Sequence, residues 1–167
     1  MLIYLAGQIV DWEEGHLWRS TVSQIAHDNG HAVHNPLAFT DISNEHSGGN
    51  RELIMARNIK LLKDSDLLIV KWNEKAHSVG TVYEMAVAKQ HGIPIVVFAS
   101  TPSMAADLDN DPYMMHLHDM QTVQSFTIDN LKDVIEHFTE CPEEWHAKYD
   151  TSPVKGDKWQ GYRPSPF

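Results

Sequence analysis

The segment from Asp66 to Phe98 reads DLLIVKWNEKAHSVGTVYEMAVAKQHGIPIVVF. It holds two apolar runs, 66–70 after its polar first residue and 93–98, on either side of a stretch with helical spacing at 79–91 that Gly92 ends. Uninterrupted apolar runs are typical of strands buried on both faces. A helix between two such strands predicts a right-handed strand–helix–strand unit with parallel strands.

The same alternation continues on both sides of this unit, which predicts an α/β fold with a doubly wound parallel sheet and helices on both faces. Such sheets bind ligands at the carboxyl ends of their strands. Further strands are predicted at 2–5, 32–34 and 122–126, which makes five in all, further helices at 16–28, 51–63 and 129–139, and loops at 37–49 and 101–119.

The composition favours one domain that binds a small ligand. The chain has 167 residues, and its 13 Lys and Arg against 23 Asp and Glu give a net charge of −10. An acidic surface repels phosphates, so we expect neither a nucleic acid nor a membrane as partner. The single cysteine, Cys141, and the absence of a long apolar run predict a cytoplasmic protein. We assign the α/β domain to 1–140 and an irregular tail, packed on the body or a neighbouring subunit, to 141–167.

The most informative motif runs from Ser78 to Ala86 and reads SVGTVYEMA. It follows a buried strand and opens a helix, which places Glu84 near the helix N-terminus, where positive partial charge favours an ionised carboxylate. A carboxylate at this edge of a parallel sheet can act as a nucleophile toward a sugar carbon. Acidic residues also occur in first helical turns for stability alone, so this position leaves both roles open.

Four segments in the right order resemble the nucleoside 2-deoxyribosyltransferase family over about residues 1–100. They are YLAG at 4–7, RNI at 57–59 with SDLLIV at 65–70, GTVYEMAVA at 80–88, and GIPI at 92–95. The resemblance implies a flavodoxin-like α/β domain that acts on the N-glycosidic bond of nucleosides, with a nucleoside or nucleotide and a free nucleobase as its small-molecule partners. It also implies a homo-oligomer and no metal or organic cofactor.

The same resemblance implies roles for individual residues. Glu84 stands where the family has a glutamate that attacks C1′ of the deoxyribose and forms a covalent glycosyl-enzyme. Tyr4 stands where a tyrosine hydrogen-bonds and orients that nucleophile. Gly7 and Gly80 belong to the matching segments, and Asp11 follows the first strand, so we expect all three beside the substrate. Asp11 is equally suited to capping the next helix.

Two positions depart from the family's transferases, which usually carry aspartates there. Asn58 can hydrogen-bond a base but cannot deliver a proton as a carboxylic acid does. Ser78, six residues before Glu84, is similar to the serine of related 2′-deoxynucleoside 5′-monophosphate N-hydrolases, which helps to hold the 5′-phosphate. Serine at a helix start is also a common N-cap. His77 beside it is either an acid near neutral pH or a solvated loop residue.

These observations leave three functions open. The first is transfer of a deoxyribosyl group between nucleobases, and the second is hydrolysis of a deoxynucleotide at the same bond. The third is a non-catalytic module that binds nucleotides. A metal site among His27, His31 and His34 is not expected, because Gly30 interrupts the helix between them.

Overall fold

A computed structural model describes residues 1–8, 12–39, 51–72, 78–99, 101–111, 114 and 127–140. Within these ranges the strands are β1 (Leu2–Gly7), β2 (Ala32–His34), β3 (Leu67–Trp72) and β4 (Ile95–Ala99). The α-helices are α1 (Trp12–Asp28), α2 (Arg51–Lys63), α3 (Val79–Gln90), α4 (Pro102–Asn110) and α5 (Ile128–Glu140), and a 3₁₀ helix covers Pro36–Phe39.

All strand pairs are parallel, and the sheet order is β2-β1-β3-β4. This is the order of the flavodoxin-like doubly wound sheet as far as its fourth strand. The described residues contain four strands rather than the predicted five. The segment predicted as the fifth strand, 122–126, lies outside them, as does the tail at 141–167.

Helices cover both faces of the sheet and bury separate apolar layers, as predicted. On one face, Tyr4, Val70 and Val97 pack with side chains of α2, α3 and α4. On the other face, Leu5 and Ile69 pack with side chains of α1 and α5. Residues of one strand alternate between the two faces, so β1, β3 and β4 are buried on both sides and read as apolar runs, whereas β2 at the edge is partly exposed.

The segment 101–119, predicted as a loop, contains helix α4, so this prediction is wrong for Pro102–Asn110. Thr101 is the N-cap and its Oγ1 accepts a hydrogen bond from the Met104 N–H at 3.4 Å, while Pro102 occupies the first turn. Both residue types are favoured at these positions. Thr101 and Pro102 therefore form a helix-start signal, which was overlooked because the segment is polar and contains methionines.

Other boundaries differ by a few residues. Helix α1 begins at Trp12 instead of residue 16, β4 begins at Ile95 after Pro94, and Pro36–Phe39 in the predicted loop forms one 3₁₀ turn. None of the described helices is long and apolar enough to cross a membrane.

Candidate active site

The candidate site lies at the carboxyl edge of the sheet, around the ends of β1 and β3. Strand β1 has β2 on one side and β3 on the other. The chain therefore runs from β1 to β2 in one direction and then crosses back past β1 to β3 in the other. Such a switch point opens a crevice between the loops that follow the strands. Gly7 ends β1 there, and Ser78 begins α3 at the same edge after β3.

A tyrosine–glutamate pair joins the sheet to α3 at this edge. Tyr4 on β1 is fully buried, and its hydroxyl donates a 2.6 Å hydrogen bond to Oε1 of Glu84 on α3. Glu84 as a residue is partly exposed. The structure thus brings together the two residues that the sequence nominated for catalysis.

Burial sets the protonation behaviour of this pair. Desolvation raises the pKa of Glu84 to about 7, although the hydrogen bond from Tyr4 and the charge of Arg19 act to lower it. From the sequence we expect the helix N-terminus to favour the ionised form. Glu84 is the sixth residue of α3, beyond the first turn in which that effect is strong. Burial, then the negative charge of Glu84, raises the pKa of Tyr4, which stays a protonated donor.

Arg19 of α1 was not recognised from the sequence. Its side chain is 2% exposed, and its Nη2 donates to the Gly7 carbonyl oxygen at 2.7 Å. Its Nη1 donates to the Gly15 carbonyl oxygen at 2.9 Å. A signal was present, because Arg19 lies three and seven residues before Val22 and Ala26 on the buried stripe of α1. An arginine at a core-facing position is unusual enough to mark a site.

Asn58 is held by its neighbour on α2. Arg57 donates to the Asn58 side-chain oxygen from Nε at 3.3 Å and from Nη2 at 3.1 Å. The charge of Arg57 also acts on Tyr4, whose pKa it lowers, so this part of α2 lies near the Tyr4–Glu84 pair. With its oxygen engaged, Asn58 offers its amide N–H₂ group, a hydrogen-bond donor, to a ligand.

Ser78 is the N-cap of α3. Its Oγ accepts hydrogen bonds from the Thr81 N–H at 3.2 Å and from the Thr81 hydroxyl at 2.9 Å. The capping role that the sequence left open is therefore real, and the Ser78 hydroxyl keeps its own proton for another acceptor. Gly80, one turn before Glu84, is exposed, and of the atoms that the structure describes a Cβ there would meet only Ser78 Oγ, at 3.8 Å.

Two predicted candidates, Asp11 and His77, lie outside the described residues. The structure adds another polar group at the end of β1, because the side-chain oxygen of Gln8 is buried and finds no hydrogen-bond partner in the described ranges. Buried polar atoms are normally paired, so this oxygen is a candidate contact for a ligand. In the described ranges no cluster of three His, Cys, Asp or Glu side chains is arranged to bind a metal ion.

The fold and this edge define a class: a doubly wound α/β protein with a buried carboxylate–tyrosine pair where such sheets bind small ligands. Within that class, the chain belongs to the nucleoside 2-deoxyribosyltransferase family, whose sequence model matches residues 3–136. No protein of established annotation matches it significantly.

Solved structures of low identity share the fold. A 2-deoxyribosyltransferase from Leishmania mexicana has 18% identity and a TM-score of 0.60, over 81% of this chain and 97% of its own. One from Bacillus psychrosaccharolyticus has 17% identity and a TM-score of 0.51, over 76% of this chain and 100% of its own. A CMP N-glycosidase from Clostridium botulinum has 16% identity and a TM-score of 0.50, over 83% and 98%.

Proposed function

We propose that this protein cleaves the N-glycosidic bond of 2′-deoxyribonucleosides and transfers the deoxyribosyl group between nucleobases. The observation that carries the proposal is the 2.6 Å hydrogen bond from buried Tyr4 to Glu84 at the ligand-binding edge of the sheet. Membership of the family supports it, and the resemblance implies that Glu84 and Tyr4 stand where the family has its nucleophile and the tyrosine that orients it.

The proposed reaction is a double displacement at C1′ of the sugar. The Glu84 carboxylate forms a bond to C1′ while the bond from C1′ to the base nitrogen breaks, and the leaving base keeps the electron pair and takes up a proton. A second base then attacks C1′ through nitrogen, loses a proton, and releases Glu84. Tyr4 holds Oε1 throughout, which leaves Oε2 as the attacking oxygen.

The residues around the pair supply the proposed substrate contacts. Asn58, with its amide N–H₂ group, is placed to bind the base, while Ser78 faces the 5′ end of the sugar. Gly7, Gly80 and Asp11 are proposed to complete the wall of the pocket. Asn58 has no acidic proton to give, so the leaving base takes its proton from another group or from solvent.

A second candidate function is hydrolysis of 2′-deoxynucleoside 5′-monophosphates. The observation that favours it is Ser78, whose hydroxyl proton is available at the N-terminus of α3. Helix N-termini and serine hydroxyls are both suited to a phosphate group. In this reaction water, instead of a base, attacks C1′ of the glycosyl-enzyme.

We also propose a homo-oligomer, as the family resemblance implies. Helices α2 and α3 pack against each other and carry large apolar side chains that face solvent. Val79 is 82% exposed and Tyr83 is 49% exposed, and the two lie one turn apart on the same face of α3. Leu53 on α2 is 68% exposed.

A base-exchange assay tests these proposals. Each deoxynucleoside and each 5′-monophosphate is incubated with and without a different free base, and products are separated by chromatography, with Glu84→Gln as control. A new nucleoside formed by the wild type alone supports transfer. Free base released only from monophosphates supports hydrolysis. Substrate binding without turnover, unchanged in Glu84→Gln, contradicts both and favours a binding module.

A further inference from the structure

Arg19 carries a buried positive charge that its direct hydrogen-bond partners do not neutralise. Its guanidinium is bonded to the carbonyl oxygens of Gly7 and Gly15, which are neutral acceptors. Its Nε is buried and has no hydrogen-bond partner among the described residues. Within the described part of the chain, no carboxylate forms an ion pair with it. A buried cation without a paired anion is costly, since it loses the solvation of water.

The position of Arg19 links the two layers of the protein. Its neighbour Trp18 belongs to the apolar layer under α1 and α5, and the guanidinium lies 4.3 Å from the centre of the Trp18 ring. From this layer the side chain extends to the carboxyl end of β1, where it binds the Gly7 carbonyl group. Tyr4, on the same strand, faces the opposite layer and holds Glu84. Arg19 therefore approaches the end of β1 from the face of the sheet opposite to the Tyr4–Glu84 pair.

The charges of Arg19 and Glu84 act on each other. The carboxylate raises the pKa of Arg19, burial lowers it more strongly, and the net result of about 10 keeps the side chain a cation at neutral pH. In turn the cation lowers the pKa of Glu84 against the larger effect of burial. Tyr4 from β1 acts on both members of this pair, and Arg57 from α2 acts on Tyr4. Lys71 of β3, opposite Gly7, forms an ion pair with Glu14 of α1.

We propose that Arg19 is a positioning residue, which fixes the turn after β1 through the Gly7 carbonyl group and provides the buried positive charge that allows Glu84 to exist as a carboxylate. The inference rests on the proposed role of Glu84 as the nucleophile. It adds a cation that touches neither the sugar nor the base and acts through the glutamate. Neutral donors would satisfy the same carbonyl groups, so the positive charge itself is the property that this role requires.

The test compares Arg19→Lys, which keeps the charge, with Arg19→Gln, which keeps a donor but is neutral. The pKa of Glu84 is measured by ¹³C NMR of the glutamate carboxyl carbons, with Glu84→Gln for assignment and Lys63→Met as a control that removes an exposed cation. We expect Arg19→Lys to leave the pKa of Glu84 within about 0.5 of wild type, and Arg19→Gln to raise it by about 1 or more. Lys63→Met leaves it unchanged.

A pKa in Arg19→Gln equal to that of the wild type overturns the proposal, and so do equal shifts in Arg19→Gln and Arg19→Lys. This readout does not depend on turnover, so it separates a failure of the Arg19 inference from a failure of the proposed function. If turnover is found, the acid limb of the pH–rate profile moves to higher pH in Arg19→Gln alone.

A folding defect is also informative. An Arg19→Gln chain that folds at pH 5, where Glu84 is protonated, but not at pH 8 supports the proposal, because only the ionised carboxylate needs the cation. A chain that folds at neither pH contradicts it, since the loss is then independent of the charge on Glu84. Circular dichroism at the two pH values distinguishes these results.

Discussion

At the scale of single residues, Glu84 combines two demands that oppose each other. It sits deep enough to be desolvated, which strengthens its interaction with a developing charge and raises its pKa to about 7. In the proposed reaction it also has to lose its proton in order to attack an electrophilic carbon. Tyr4 and Arg19 both lower its pKa, and both favour the carboxylate. Near neutral pH the group therefore exists in both forms.

This balance predicts a pH-dependent stability. The pKa of Glu84 is raised from its ordinary value of 4.5 to about 7 in the folded protein, so the folded chain retains a proton that the unfolded chain has lost between these values. The stabilisation is complete below pH 4.5 and is lost as the pH rises through 7. Glu84→Gln cannot titrate, so we expect it to gain stability relative to wild type between pH 5 and pH 8. Urea unfolding at both pH values measures this, and parallel behaviour of the two proteins contradicts it.

Tyr4→Phe removes one hydroxyl group from the fully buried ring and leaves its apolar contacts in place. The lost hydrogen bond no longer lowers the pKa of Glu84, so the acid limb of the pH–rate profile moves to higher pH. We expect turnover to fall by about 10²–10³-fold at neutral pH. Steady-state kinetics from pH 5 to 9 measure both effects. An unchanged profile would show that Tyr4 does not hold the reacting carboxylate.

At the scale of elements, the turn that ends β1 depends on Gly7. Its φ of +154° is rarely adopted by other residues, and a Cβ would lie 2.7 Å from the Lys71 carbonyl oxygen and 3.1 Å from the Trp18 ring. The backbone oxygen of Lys71 belongs to the neighbouring strand and cannot move without disturbing the sheet. Close approach of β1, β3 and α1 therefore fixes both the Gly7 carbonyl group and the guanidinium of Arg19 bound to it.

Gly7→Ala and Gly80→Ala form a matched pair, because both glycines belong to motif segments but only Gly7 lacks space for a Cβ. We expect Gly7→Ala to destabilise the fold by about 1–3 kcal/mol because of the clash with the Lys71 backbone. Gly80→Ala places its methyl group in ordinary contact at the start of α3 and is expected to be neutral or stabilising by up to about 1 kcal/mol. Urea unfolding compares them. Equal losses in both variants would contradict the assignment of the close approach to Gly7.

Part of the fold and of the candidate site could be predicted from the sequence. Strand–helix alternation predicted the parallel layers because β1, β3 and β4 are buried on both faces. Tyr4 and Glu84 were found through motifs, whereas Arg19 was missed because only the packing of α1 on β1 brings its guanidinium to the site. Helix α4 was missed because its N-cap signal is short. The raised pKa of Glu84 was not predicted, because it results from burial. Burial depends on tertiary structure and cannot be inferred from the position of a residue in a helix.

At the scale of the whole molecule, the acidic chain with a net charge of −10 carries exposed apolar side chains on α2 and α3. If these helices form the contact between copies, a charge introduced there disrupts it. We expect Leu53→Glu combined with Val79→Glu to convert the oligomer to a monomer in sedimentation velocity. Leu17→Glu is the control, because Leu17 is equally exposed, at 68%, but lies on α1 across the sheet. Dissociation by the control, or none by the double variant, argues against this face.

The proposed reaction requires that Glu84 becomes covalently bonded to the sugar. The direct measurement is rapid acid quenching of the protein with a deoxynucleoside or its 5′-monophosphate, followed by intact mass spectrometry and peptide mapping. We expect an added mass of one deoxyribosyl group, or its phosphate, on the peptide that contains Glu84, absent from Glu84→Gln. Turnover without any adduct, or with an adduct on another residue that persists in Glu84→Gln, would contradict it.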